Sequence, residues 1–229
     1  MLVLALDTTS RRSSAAVAQD GRVLLELAGD ESRPQATRLP GDLQVLLAGA
    51  GVDLTDIDIF AVAAGPGSFS GLRVGISTMQ GLALAADRPL LGVSALEALA
   101  TIAHDAGAAA DSLTATWIDA WRGEVYAALY EGTRELEAPI VASPDALLRR
   151  LGTTRFIGDG IPPNTATIRA ALGARATFPA DLTPLLAGVV ARIASRRAAE
   201  GDLPAADAIE PVYVRRPDAE LARDARASC

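Results

Sequence analysis

The chain opens with a continuous apolar run, "LVLALD" (2–7), of the length and composition of a central β-strand. The polar turn "TTSRRS" (8–13) separates it from "SAAVAQ" (14–19), and Asp20-Gly21 then signals a hairpin before "RVLLEL" (22–27). Together these segments predict a β-meander. Leu39, Leu43, Leu46 and Leu47 recur at helical spacing and predict a helix over about 35–50, with Pro40 in its first turn or kinking it. "DLTDIDIFAVAA" (53–64) runs from turn residues into another strand. "AGPGSFSGLRVGI" (64–76) then carries the chain through a Gly-Pro loop into a helix over about 70–86, and "PLLGV" (89–93) reads as a further buried strand. Ser94 is placed to cap a third helix, with Glu97 three residues on to complete a capping box.

The pattern then starts again. "HDAGAAADS" (104–112) is small, polar and without periodicity, and it divides the chain into domains 1–105 and 106–229. "LTATWID" (113–119) ends in an aspartate as "LVLALD" does; "AWRG" turns, "EVYAALY" (124–130) is a strand, and "EG" (131–132) is a second hairpin-like turn. Asp7 and Gly21 stand 14 residues apart, Asp119 and Gly132 13 apart. The order strand, Asp, turn, strand, Gly, strand therefore occurs twice. Each copy leads into helix–strand alternation, the second with helices expected at 143–151, 162–172 and 183–200 and a short strand at 155–159. Two α/β domains of related topology, each with a mixed sheet and flanking helices, account for this repeat.

Composition narrows the chemistry. Half of the 229 residues are hydrophobic, enough for a sizeable core. The net charge is −7 with no lysine, all 21 basic residues being arginine, which argues against a protein that grips nucleic acid unaided. There is no basic, apolar leader and no run of the roughly 18 apolar residues a membrane span needs, so a cytoplasmic protein is expected. The single cysteine, Cys229, makes no disulfide, and the single histidine, His104, makes no His–His metal pair.

Gly65, Gly67 and Gly71 allow close backbone approach, and Ser68 or Ser70 can cap the following helix. A Walker A loop requires a lysine, however, and the glycine spacing does not match a dinucleotide loop. Behind the loop, Leu72, Ile76, Met79, Ala83 and Ala86 form an apolar stripe, and Gly71, Gly75, Thr78 and Ala85 a stripe of small residues. Glycine inside a helix costs about 1 kcal/mol relative to alanine, so tight packing is expected there, against either this chain's own sheet or another subunit. Asp7, Thr8, Thr9 and Ser10 stand at a strand end, where a carboxylate and hydroxyls serve a metal and phosphate oxygens, or simply stabilise a turn.

These residues resemble a known family. "LALDTTS", "AAGPGSFSGLRVGISTMQGLALA" (63–85), "LLGVSALEALA" (90–100), "IDAWRGEVYAALY" (118–130) and "PVYVRRP" (211–217) look like the TsaB family, also called YeaZ, of bacterial tRNA threonylcarbamoyladenosine biosynthesis. The likeness runs through most of the chain in the right order. It implies the duplicated actin-like/Hsp70-like/sugar-kinase (ASKHA) fold and a non-catalytic relative of TsaD, the subunit that transfers the threonylcarbamoyl group to the adenosine next to the anticodon. The implied partners are TsaD in a heterodimer and the ATPase TsaE, with a homodimer using the same surface and tRNA met through the complex. No cofactor of its own is implied; ATP or ADP belongs to the complex. TsaD holds its metal through an H-x-x-x-H pair that a chain with one histidine lacks.

The family's partner surface lies on the first two helices. Carried over, it comprises Gln35, Leu39, Leu43 and Leu46, then Gly71, Leu72, Arg73, Gly75, Ile76, Met79 and Gln80. Many relatives have a histidine where this chain has Gln35, and Pro40 is a further departure. Under this reading a bulky residue at Gly75 abolishes the complex and leaves the monomer folded. Asp7, Thr8 and Thr9 become a vestigial nucleotide site. The competing reading is an ATP-dependent phosphoryl or carbamoyl transferase of the same fold, with Asp7 and Asp119 around Mg²⁺ and Thr8 and Thr9 on phosphates.

Overall fold

The computed structural model describes residues 1–107 and 112–215. The first half contains β1 (Leu2–Asp7), β2 (Ser14–Gln19), β3 (Arg22–Ala28), α1 (Gln35–Ala50), β4 (Ile59–Gly65), α2 (Phe69–Ala86), β5 (Leu90–Ser94) and α3 (Ala95–Asp105). The second half contains β6 (Leu113–Asp119), β7 (Val125–Glu131), β8 (Arg134–Ala142), α4 (Pro144–Leu148), β9 (Thr154–Ile157), α5 (Thr165–Leu172), β10 (Ala176–Thr177) and α6 (Ala187–Ala199).

The repeat read from the sequence is a repeat of topology. The first sheet runs β3-β2-β1-β4-β5, and the second, in the same sense, β8-β7-β6-β9-β10. In each, the first three strands form an antiparallel meander and the last two join parallel to the first strand. Asp7 and Asp119 thus hold equivalent places at the ends of β1 and β6, paired with Ser14 and Val125.

Alternation along the strands sorts large from small side chains. Leu4, Leu6, Val17, Phe60 and Val62 meet Leu39, Leu43, Leu46, Ile76 and Met79 of α1 and α2 on the outer face of the first sheet. The inner face carries Ala5, Ala16, Ala18, Ala61 and Ala63, small enough for the alanine-rich α6 to lie close. This inner core continues through α3 to Ile118, Ala128 and Tyr130 of the second sheet. Its helices cross over: α6 belongs to the second half but packs on β1–β5, and α3 belongs to the first half but packs on β6, β7 and β9. The start of α6 is fixed by the other lobe, since Ser14 Oγ accepts from the Leu186 and Ala187 amides and Glu26 from Gly188 N at 2.8 Å. A third core, around Trp117 and Phe156, lies under α4 and α5.

Several local expectations shift. Pro40 sits in the second turn of a continuous α1, where it leaves the Ala36 carbonyl without its intrahelical donor. The helix expected over 143–151 is confined to Pro144–Leu148, the one over 162–172 begins as a 3-10 turn at Pro162–Asn164, and the one over 183–200 begins at Ala187. Ser94 caps α3 through Glu97 N, but the Glu97 carboxylate pairs with Arg197 at 2.6 Å instead of closing the box. β10 had no signal of its own. The expected boundary at 105/106 falls between α3 and β6, and residues 108–111 and the tail from 216 lie outside the described residues. Among the described residues, no helix is long and apolar enough to cross a membrane.

Candidate functional site

The turn after β1 and the glycine loop before α2 form one packed unit. Asp7 is buried; its Oδ1 accepts from Thr9 N at 2.9 Å and Thr9 Oγ1 at 2.6 Å, while Oδ2 has no hydrogen-bond partner. Burial pushes its carboxyl up to about 6, against the two Thr9 bonds that pull it down. Thr8 Oγ1 donates to the Gly71 carbonyl at 2.8 Å. A Cβ on Gly71 would overlap the Thr8 carbonyl, and one on Gly75 would overlap Thr8 Oγ1. Gly71 and Gly75, two of the four members of the small-residue stripe of α2, therefore serve close approach to the chain's own β1–β2 turn.

Most of the residues expected at a partner surface are buried within the chain or packed against its own turn. Leu39, Leu43, Leu46, Leu72, Ile76 and Met79 are buried in the lobe's own core, and Gly71 and Gly75 lie against Thr8. Gln35 is half-buried and donates to the Ser10 carbonyl at 3.0 Å, tying the start of α1 to the β1–β2 turn. Gln80 donates to the Ile209 carbonyl at 3.1 Å. Arg73 is exposed but lies 4.0 Å over the Phe69 ring and donates to Tyr213 Oη at 3.3 Å. The segment around 209–213 thus straps across α2, with Val212 N also donating to the Ala64 carbonyl at 2.8 Å. Gly41, Gln44, Val45 and Ala48 of α1 and Ser77, Gly81, Leu84 and Ala85 of α2 are among the exposed positions of the two helices. Val45 and Leu84 are 63% and 61% exposed there.

Between the lobes lies a cleft of about 940 Å³. Its floor includes Thr9, Ile118, Asp119 and Asp159; Asp159 Oδ1 accepts from Asp119 N at 2.9 Å, and Asp119 Oδ1 from Trp121 N at 2.9 Å. Burial and the neighbouring Asp119 both raise the Asp159 carboxyl, partly offset by backbone donors. Among the described residues, no cluster of three or more His, Cys, Asp or Glu is arranged to hold a metal ion. The Thr8 and Thr9 hydroxyls are already donated to Gly71 and Asp7. Sequence reasoning missed Arg11, Arg33 and Trp121 at the cleft mouth, although a tryptophan inside the "AWRG" turn was a visible signal.

Two like lobes, each with a strand-ending aspartate beside a common cleft, place the chain in the actin-like/Hsp70-like/sugar-kinase class. The fold alone is shared with the activator of the 2-hydroxyisocaproyl-CoA dehydratase from Clostridium difficile, at a TM-score of 0.56 and 11% identity over 88% of this chain and 97% of that one. Residues 30–179 match the family described as TsaD: tRNA N6-adenosine threonylcarbamoyltransferase. YeaZ from Pseudomonas aeruginosa superposes at a TM-score of 0.76 with 31% identity, over 93% of this chain and 99% of that one. The Escherichia coli tRNA threonylcarbamoyladenosine biosynthesis protein TsaB is 42% identical over 133 residues, 57% of this chain and 55% of that protein. The chain belongs to the TsaB (YeaZ) family. It spans about half the length of the curated relatives it matches.

Proposed function

We propose that this protein is a non-catalytic subunit of tRNA threonylcarbamoyladenosine synthesis, which binds and activates a TsaD transferase together with a TsaE ATPase in the cytoplasm. The observation that carries this reading, beside family membership, is the state of the β1–β2 turn. The hydroxyls a phosphate would need are bonded within the chain, and α2 is packed against the turn through Gly71 and Gly75. On this reading the protein needs no cofactor of its own at that turn, and tRNA is engaged through the complex.

The docking surface we assign is the exposed face of α1 and α2, centred on Val45, Gly41, Gly81 and Leu84, where small side chains permit close helix–helix contact. A homodimer would compete for the same face. Gly81 has nothing within 4 Å of an added Cβ, so a substitution there tests binding without disturbing the fold. Calorimetric titration with the TsaD of the same organism should give one-to-one binding. Gly81→Glu combined with Leu84→Glu should weaken it at least tenfold at an unchanged melting temperature. Unchanged affinity would overturn the assigned face. ATP hydrolysis by the pure chain that is lost in Asp7→Ala would overturn the non-catalytic reading in favour of a transferase.

A further inference from the structure

Beyond α6 the chain leaves the inner core, returns over the outside of the first lobe and reaches the second lobe at Arg215. A 3-10 turn at Ala206–Ala208 packs on α2 and β5, with Ala206 and Ile209 joining the outer core beside them. Val212 donates its amide to the Ala64 carbonyl near the end of β4, and its own carbonyl lies 2.8 Å from where a Cβ on Gly65 would stand. The Tyr213 ring is 5.3 Å from that of Phe69, and its hydroxyl accepts from Arg73. Phe69 and Arg73 share an exposed stripe of α2 with Ser77, Gly81 and Leu84, at helical spacing. Tyr213 thus touches one end of the face assigned above to docking.

Two residues later the same segment holds the second lobe. Arg215 donates to the Ala120 carbonyl at 2.7 Å and to the Glu124 carboxylate, with its guanidinium 5.9 Å from the centroid of the Tyr126 ring. Ala120 and Glu124 are the two ends of the β6–β7 turn. Ala120 N donates to the Glu124 carbonyl at 3.0 Å, and Glu124 N to the Trp121 carbonyl at 3.1 Å. Between these ends the backbone is left-handed at three consecutive positions, with φ of +62° at Trp121, +58° at Arg122 and +76° at Gly123. Only the glycine adopts that region freely, so the turn is strained and keeps its shape through what brackets it. Asp119 braces its start by accepting from Trp121 N, and Arg215, 91 residues from Glu124, braces both ends.

We propose that residues 206–215 act as a clasp that couples the docking face of α2 to the β6–β7 turn. The turn has two states: gripped at both ends by Arg215, or released to relax from its left-handed backbone. Tyr213 and Arg215 are two positions apart on one short segment. A contact that fixes Tyr213 against Phe69 and Arg73 therefore also fixes the guanidinium on the turn, and losing the contact loosens both. Coupling between two sites is their shared bias on such a two-state element, and it runs in both directions. A partner seated on the α2 stripe tightens the turn. That last step rests on the docking face proposed above, whereas the coupling itself is a property of the chain.

Amide hydrogen exchange of the full chain tests the clasp, read at the hydrogen-bonded amides of Ala120, Trp121 and Glu124, with β1 and β4 as the reference for global stability. Arg215→Gln should speed exchange at the three turn amides about tenfold and leave β1 and β4 unchanged. Arg215→Lys, which keeps the charge but loses the planar fork, should fall between wild type and Arg215→Gln. Tyr213→Ala, which leaves Arg215 and the turn residues in place, should speed the same amides about threefold. With the TsaD of the same organism added, exchange at the turn should slow in wild type and not in Arg215→Gln. Turn exchange that is unchanged in Arg215→Gln, indifferent to Tyr213→Ala, or accelerated only as much as β1 and β4 would overturn the proposal. TsaD that binds without slowing the wild-type turn would overturn the coupling to a partner. Failure of TsaD to bind would instead overturn the proposed function, and the substitutions in the free chain would still decide the clasp.

Discussion

Asp7 is the residue at which local chemistry and global stability meet. Its carboxyl is buried with Oδ2 unpartnered and titrates near 6, above the ordinary 3.8. A carboxyl whose pKa is higher in the folded state than in the unfolded state favours the protonated protein. Its contribution is complete below about pH 4 and is lost as the pH rises through 6. A displacement of this size corresponds to about 3 kcal/mol once the group is fully ionised. Burial raises Glu26 and Asp159 in the same direction. Denaturant unfolding should therefore show stability falling between pH 4 and pH 7. Asp7→Asn, which keeps an oxygen for the two Thr9 bonds, should flatten that fall and leave the protein more stable than wild type at pH 8. An unchanged pH profile would show that Asp7 is ionised in the folded state at little cost. The sequence marked Asp7, Thr8 and Thr9 as a group. It left open whether they serve a ligand or a turn, because that depends on whether α2 arrives close enough to occupy the Thr8 hydroxyl.

At the level of the element, α2 shows how one pattern supports two readings. Its glycines at 71 and 75 indicate tight packing against something, and helical spacing cannot name the neighbour. The neighbour is the β1–β2 turn, so the expectation that a bulky residue at Gly75 spares the fold is replaced by its opposite. Gly75→Leu should lower stability by about 3 kcal/mol or more, since the added side chain meets Thr8 in a packed interior. Gly81, on the open face of the same helix, should tolerate alanine with a gain of up to about 1 kcal/mol. Thermal melts of the two variants check both statements, and equal melting temperatures would refute the assignment of the faces. Helix existence was legible from periodicity throughout. The ends were less so: α6 begins at Ala187, after Pro184, where Ser14 and Glu26 of the other lobe receive its first amides. No sequence window contains that information.

At the level of the whole molecule, the crossed helices make the lobes interdependent. The inner face of the first sheet, lined by alanines and valines, is covered by α6, and much of α3 lies against the second sheet. A fragment of residues 1–107 retains its outer helices but exposes that inner face. It should bind a hydrophobic dye and aggregate, and adding the remainder of the chain should restore native hydrogen-exchange protection in β1 and β4. A fragment with native protection on its own would show that α6 is dispensable to the first lobe.

The sequence by itself determined the strands other than β10, the main helices, the duplicated order of elements and the family, because each rests on local periodicity, turn chemistry or motifs read in line. The tertiary structure alone decided which helix covers which sheet, which glycines face the chain's own turn, and that Arg11, Arg33 and Trp121 share one opening. These are relations between residues up to about a hundred positions or more apart, fixed by how the two sheets bury their inner faces on a common pair of helices and not by any local preference.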